Sequence, residues 1–450
     1  MDFNTILKCF GFEPEDFVDE PLCAIKADFG YIIEVKQKFD CRLCPHCGSV
    51  SVVIKDHRFV EYNISNHSND FKTLRVRKTR FYCKDCHKSF TNPINGITPK
   101  TKFIEHNKQL LLSDFTKMIS FSEIAASYKV TPMRIIQLFD SLVPYVPRRQ
   151  LTKEICIDEV KFKDNSEGKY ICILSDFKNG DCLDVIPNRR MDYLDDYFSK
   201  IPPGEAKQVK VFISDMYDGY ATVKRKHFPS AIHIIDLFHI IRQLSSAVNR
   251  LRTRVMNLRK QQFGESDLYY KFMKNKWEKF LCKKSKLYDK TYSPKGHEEM
   301  SCFDLVQECI SLDMDLWDGY NMLQELFRYH YYSTFDEANN FINRVINKLR
   351  AGGNEILEDV ANTYEKWKVG IINAFTTRYD RNRSYTNGVA EGNNNAVTSL
   401  IKIAYGYGSF ERFRKRILLI KTYKKVDVWG VHLWFYRFRW IRRETPFKPP

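Results

Sequence analysis

Apolar, β-branched residues fall in short dense runs between positions 155 and 236, and each run predicts a strand. Residues 155–160, 170–176 and 182–187 lie close together, with Asn179-Gly180 offering a tight turn between the second and third. Residues 209–215 and 231–236 repeat the pattern, separated from the others by helical spacing at 193–200 and 220–227. Either side of this block the pattern changes. Residues 31–98 are strand-rich, including 72–82, while 99–146 read as a small helical unit. Pro144, Pro147, Arg148 and Arg149 mark a linker. Strand signals nearly vanish over 239–380, a basic helical stretch in which Trp277, Trp317 and Trp367 are expected to anchor packing. Residues 1–30 read as a short leader.

The helical unit has helix–turn–helix spacing from Ser122 onward. Ile124 and Ala125 would pack its first helix, Val130 would plug the turn, and Thr131-Pro132 supply an N-cap and first-turn proline for the second. That helix would present Met133, Arg134 and Gln137 outward, where they could read a DNA major groove. An ordinary helical pair is the bland alternative.

Composition narrows the class. Hydrophobic residues make up 43% and aromatics 14% of 450 residues, enough for real cores and against wholesale disorder. Lys plus Arg number 72 against 55 acids, a net charge of +17, which points to a polyanionic partner. Nucleic acid is favoured over membrane, since no apolar run approaches the roughly 20 residues needed to span. Basic segments at 250–260 and 271–286 suit phosphate contacts. The basic-aromatic tail, 426–450, could stack on bases or dock on protein. Thirteen scattered cysteines, with Cys156, Cys172 and Cys182 inside expected core strands, and no signal-peptide pattern suit a bacterial, nucleoid-associated cytoplasmic protein.

Four of the cysteines form a pattern: Cys44-Pro-His-Cys47-Gly48 and Cys83-Lys-Asp-Cys86. Two intervening residues let both thiolates of a pair face one ion, so Cys44, Cys47, Cys83 and Cys86 are expected to hold one structural Zn²⁺ in a zinc ribbon. Cys41 offers a competing pair with Cys44, but Gly48 after Cys47 permits the tight turn and favours Cys44/Cys47. His46 and His87 are left out of the set.

Three acids stand apart. Asp158 lies in Ile-Cys-Ile-Asp-Glu-Val, Asp215 closes Val-Phe-Ile-Ser-Asp, and Glu391 opens a helical segment in Ala-Glu-Gly-Asn-Asn-Asn. One strand-end Asp is usually structural. Three carboxylates held close, however, cannot all stay ionised without a cation, and a divalent pair suits phosphoryl transfer. Glu159 points to the opposite strand face and is not expected to be a ligand. Asp236 and His239, after the fifth strand, either order this site or cap the following helix. Asn394 and Asn395 either contact DNA or cap the Glu391 helix.

Three hairpin-linked strands followed by alternating helices and strands resemble a ribonuclease H-like core. The chain as a whole, from 44 to about 419, resembles the ISL-three family of insertion-sequence transposases. The resemblance rests on the Cys-Pro-x-Cys-Gly knuckle, Ile-Asp-Glu, Ser-Asp-Met, Asp-x-Phe-His, Asn-Gly-x-x-Glu-Gly-x-Asn-Asn and Gly-Tyr-Gly-x-Phe-x-x-Phe. It implies a DDE transposase in which Asp158, Asp215 and Glu391 are catalytic and hold two Mg²⁺ (or Mn²⁺) ions. Such an enzyme binds the terminal inverted repeats of its element, cleaves the ends and joins the 3′-hydroxyls to target DNA, with a homodimer expected on the paired ends. The chain departs from the family at Thr398, where a basic residue is usual and Lys402 is the next positive charge. The alternative is a transposase-derived DNA-binding regulator with an inactive core.

The expected architecture is multidomain, α+β with an α/β core: leader 1–30, zinc ribbon 31–98 and helix–turn–helix 99–146. A ribonuclease H-like core follows at 150–240 and 381–425, interrupted by a helical insertion at 241–380, with the tail at 426–450.

Overall fold

The computed structural model describes residues 3–9, 12–18, 23–27, 30–38, 43–63, 71–95, 105–128, 130–162, 168–293, 298–328, 331–380, 384–386, 388–404 and 407–423. Cys41 and the tail at 426–450 lie outside these residues. The chain divides into two compact units. Met1–Pro147 form one together with the residues from Thr398 onward, and Arg148–Val397 form the other.

In the first unit, α1 (Phe3–Cys9) precedes a sheet of β1 (Cys23–Ala27), β2 (Gly30–Lys36), β3 (Val52–Asn63), β4 (Phe71–Cys83) and β5 (Ser89–Thr91). The strands run in the order β1-β2-β4-β3, with β5 beside β4. β3 and β4 are the long arms of an antiparallel hairpin. Strand alternation buries Leu74 and Val76 and exposes Arg77. The described residues before Tyr31, expected as a leader, take part in the fold of this unit. Leu7, Phe12 and Phe17 enter the same apolar cluster as Ile33, Tyr62 and Leu74, and β1 pairs with β2.

Next come α2 (Glu105–Asp114), α3 (Phe121–Ser127) and α4 (Pro132–Leu142). Ser120 and Glu123 close a capping box on α3. Thr131 caps α4 with its hydroxyl on the Arg134 amide, and Pro132 sits in the first turn as expected. Ile124, Ala125, Ile135 and Phe139 are buried between the helices, while Val130 is half-buried.

The second unit is built on a sheet of β6 (Glu154–Lys161), β7 (Tyr170–Asp176), β8 (Cys182–Ile186), β9 (Val211–Ser214) and β10 (Ile232–Ile235), ordered β10-β9-β6-β7-β8. β6, β7 and β8 are antiparallel neighbours, whereas β9 runs parallel to β6 and β10 parallel to β9. One face packs α5 (Met191–Ser199), α6 (Pro203–Gln208) and α7 (Asp218–His227) over Ile155, Ile157, Leu174 and Phe212.

The other face presents Cys156, Ile213 and Ile234 to the helical stretch that follows. It comprises α8 (Leu237–Phe263), α9 (Leu268–Asn275), α10 (Cys302–Ser311), α11 (Met314–Phe327), α12 (Phe335–Ala351), α13 (Glu355–Lys366) and α14 (Lys368–Thr376). One continuous apolar cluster joins these helices to the sheet, so the expected insertion does not close a core of its own. Of the three tryptophans expected as anchors, only Trp367 is buried; Trp277 and Trp317 lie on the surface.

The last two helices among the described residues are α15 (Gly388–Ile403) and α16 (Phe410–Tyr423). The sequence suggested that the core runs to 425, but α16 packs in the first unit. Arg412 pairs with Asp140 of α4 at 2.7 Å, and the buried Arg416 donates to carbonyls at the end of α2 and in the turn after it. No helix among the described residues is long and apolar enough to cross a membrane.

Candidate metal centres and nucleic-acid interface

The sulfurs of Cys44, Cys47, Cys83 and Cys86 all lie within 4.8 Å of one another. Each pair sits in a tight knuckle. The amide of Gly48 donates to the Cys44 carbonyl at 2.8 Å, and that of His87 donates to the Cys83 carbonyl at 3.0 Å. Gly48 and His87 occupy the same place in their knuckles and both turn left-handed, at φ 75° and 58°. His87 bears this conformation with its ring bonded to the Tyr82 hydroxyl at 2.9 Å. Amides of Cys86 and Asp85 pull the Cys83 thiol down to about 7, toward the thiolate that binds metal. Four soft ligands at tetrahedral spacing fit structural zinc, with no position left open for chemistry.

Asp158 lies inside β6 opposite Ile173 of β7, and Asp215 immediately follows β9, the neighbouring strand. Each sits where a strand puts it. The two carboxylates feel one another. Burial first, then the charges of Glu159 and Asp158, raise Asp215 to about 7, and one of its oxygens (Oδ1) is buried without a hydrogen-bond partner among the described residues. Burial also raises Asp158, against the pull of the Glu159 amide at 2.8 Å. A half-buried acid pair with an unsatisfied oxygen is a hard-ligand set that fits a divalent cation.

Glu159 leaves β6 on the other face, as strand alternation requires. It accepts from the Tyr220 hydroxyl at 3.0 Å and from Arg189 at 2.6 Å. Arg189 lies over the rings of Tyr170 and Tyr217. This clamp was not apparent from the sequence, because Arg189 sits in a loop without periodicity.

Asp236 is buried at the N-cap position of α8, and its amide donates to the Ser214 carbonyl beside Asp215 at 3.0 Å. Its side chain makes no capping bond to the helix; its carboxylate stands 3.9 Å from the His239 ring. The charge of His239 reaches Asp158.

Glu391 is exposed in the first turn of α15. Among the described residues, only the four cysteines form a close group of three or more metal-ligating atoms, so the three acids are not gathered into one. What α15 does bring to Asp158 is Asn394, whose Nδ2 donates to Oδ2 at 2.7 Å. Glu391 stands three residues before Asn394 on the same helix face. Asn395 is exposed. Asn393, not singled out from the sequence, is the buried member and donates to Ser175 Oγ at 2.8 Å and to the Gly180 carbonyl at 3.3 Å. Consecutive asparagines turn about 100° apart on a helix, so the three point in different directions, and Asn393 is the one that faces inward.

On α4, Met133 and Gln137 are exposed and Arg134 is half-exposed, its guanidinium bonded to the Gln137 side chain at 3.3 Å. The three expected reading residues therefore lie on accessible surface, without a protein partner outside their own helix among these contacts.

Residues 155–417 match the family model described as transposase, the ISL-three DDE group. No curated protein matches the chain.

Proposed function

The chain belongs to the ISL-three family of DDE transposases, and on that premise we propose that it cuts and joins DNA at a divalent-metal site made by Asp158, Asp215 and Glu391. The observation that carries this reading is the Asp158–Asp215 pair, two half-buried carboxylates on neighbouring strands, one of which has a buried oxygen without a hydrogen-bond partner among the described residues. The sheet order, three antiparallel strands with two parallel ones added beside the first, supports a ribonuclease H-like core.

Bound Mg²⁺ or Mn²⁺ ions, two in number, would supply Lewis acidity to a nucleophilic oxygen and charge to a leaving oxygen. The chain's part is to hold three carboxylates in place. Asp158 is fixed within β6 and by Asn394, Asp215 is held at the end of β9, and Glu391, exposed in the first turn of α15, would close onto the ions once they and DNA are bound. Asp236 and His239 act behind them as positioning residues. Water attacks a phosphodiester at the element's end, breaking its P–O3′ bond to leave a 3′-hydroxyl and a 5′-phosphate; that hydroxyl then attacks a target phosphodiester in line at the same site, displacing the target's 3′-oxygen as a hydroxyl, with no covalent enzyme intermediate.

Recognition of the terminal inverted repeats falls to the first unit, through the zinc ribbon and through Met133, Arg134 and Gln137 of α4. Asn395, exposed on α15, is a further DNA contact. A net charge of +17 supplies the phosphate attraction. Pairing of two ends calls for a homodimer, working in the bacterial cytoplasm on nucleoid DNA.

Strand transfer on labelled terminal-repeat DNA with Mg²⁺ tests the reading. Asp158→Asn, Asp215→Asn and Glu391→Gln should each abolish cleavage while repeat binding persists. Cleavage unchanged by these substitutions refutes the site. A wild-type protein that binds the repeats and never cuts supports a regulator instead.

A further inference from the structure

Asn394 sits in the middle of a helix, where asparagine is a poor helix former, and its neighbour Asn393 already anchors α15 to β7 and the following turn. Its side chain instead spends its donor on Asp158 Oδ2 at 2.7 Å, while its own Oδ1 is buried without a hydrogen-bond partner among the described residues. A lysine or arginine at this place would neutralise Asp158 and compete with a cation. A neutral amide fixes the carboxylate's orientation and leaves its charge available. The orphaned carbonyl oxygen adds a second use, since Mg²⁺ keeps several waters whose protons need acceptors.

We propose that Asn394 is a positioning residue of the catalytic metal site: its Nδ2 holds Asp158 in the cation-binding orientation, and its Oδ1 accepts from the hydration shell of the ion. This rests on the metal-site reading above. Outer partners of metal ligands typically change affinity about 10–100-fold when removed, which sets the expected size.

The test is calorimetric titration of the full-length, zinc-loaded protein with Mn²⁺, without DNA. Asn394→Ala and Asn394→Leu should weaken Mn²⁺ binding about 10–100-fold, with melting in chelator close to wild type. Leucine matches asparagine in size and favours helix, so it keeps the fold if alanine does not. Asp158→Asn should lose the same site. If Asp158→Asn binds weakly and both Asn394 variants bind like wild type, the role of Asn394 is refuted and the metal site stands. If Asp158→Asn also binds like wild type, the metal site itself is wrong.

Discussion

Asp140 on α4 receives both Nε (3.1 Å) and Nη2 (2.7 Å) of Arg412 on α16, a residue 272 positions further along the chain. Met133, Gln137 and Asp140 fall four and three residues apart, on one helical stripe. Its last turn is met by α16 and its first two turns are open, the part of a recognition helix that ordinarily meets bases. The pair is partly exposed, so it contributes modestly to stability. Asp140→Ala should cost about 0.5–1 kcal/mol in denaturant melts. Gln137→Ala should leave melting unchanged and weaken repeat binding by about 1–3 kcal/mol in anisotropy titrations. A Gln137→Ala protein that binds its repeats normally contradicts the reading role.

Arg416 is a different matter, because nothing of it reaches water. Its Nη2 donates to the carbonyls of Lys117 at 3.0 Å and Ile119 at 2.9 Å, and its guanidinium lies over Phe115 and Phe121. Burial lowers its pKa to about 10. Arg416→Ala unpairs these carbonyls and leaves a cavity, but it also removes a buried charge whose Nε and Nη1 lack partners among the described residues, so a loss of about 1–3 kcal/mol is expected by chemical denaturation. A loss under about 1 kcal/mol would show that α16 does not hold these helices.

The two zinc knuckles should respond oppositely to substitution. A Cβ at Gly48 meets nothing within 4 Å, so Gly48→Ala costs only the left-handed backbone, about 1–2 kcal/mol of zinc-bound stability. His87→Gly relieves that same strain and loses one exposed bond to Tyr82, so it should be neutral or stabilising. Thermal melts with zinc bound, compared with melts after chelation, check both. A costless Gly48→Ala would contradict the knuckle geometry.

Acid should loosen the second unit through His233. This ring lies on β10 against the Ser214 hydroxyl at 2.9 Å, and burial, aided by the charge of Lys224, lowers it from 6.5 to about 4. Between those values the unfolded chain binds the proton and the folded chain does not. Its contribution is therefore complete above pH 6.5 and is lost as pH falls toward 4. Wild type should lose stability relative to His233→Gln across that window. A difference that stays constant with pH excludes this histidine as the cause.

The strand runs, the Asn179-Gly180 turn and the caps at Thr131 and Pro132 were legible because each is a local decision, made by side-chain alternation or one hydroxyl. So was the cysteine pattern, whose spacing is itself the geometry. What failed was long-range. Periodicity shows which residues of α16 share a face but not that the face meets α2 and α4. It also marked Trp277 as apolar without showing that its ring stays at the surface. The three asparagines read as equivalent in sequence. Only helix phase separates Asn393, which anchors, from Asn394, which reaches Asp158, and Asn395, which faces out.

The central claim, that Asp158, Asp215 and Glu391 hold the catalytic cations together, is tested most directly by changing each in turn to cysteine and comparing cleavage in Mg²⁺ with cleavage in Mn²⁺. Sulfur is a poor ligand for Mg²⁺ and a better one for the softer ion. Each of the three variants should be inactive in Mg²⁺ and recover activity in Mn²⁺. A Glu391→Cys protein as active in Mg²⁺ as wild type would remove the third acid from the site and contradict the account.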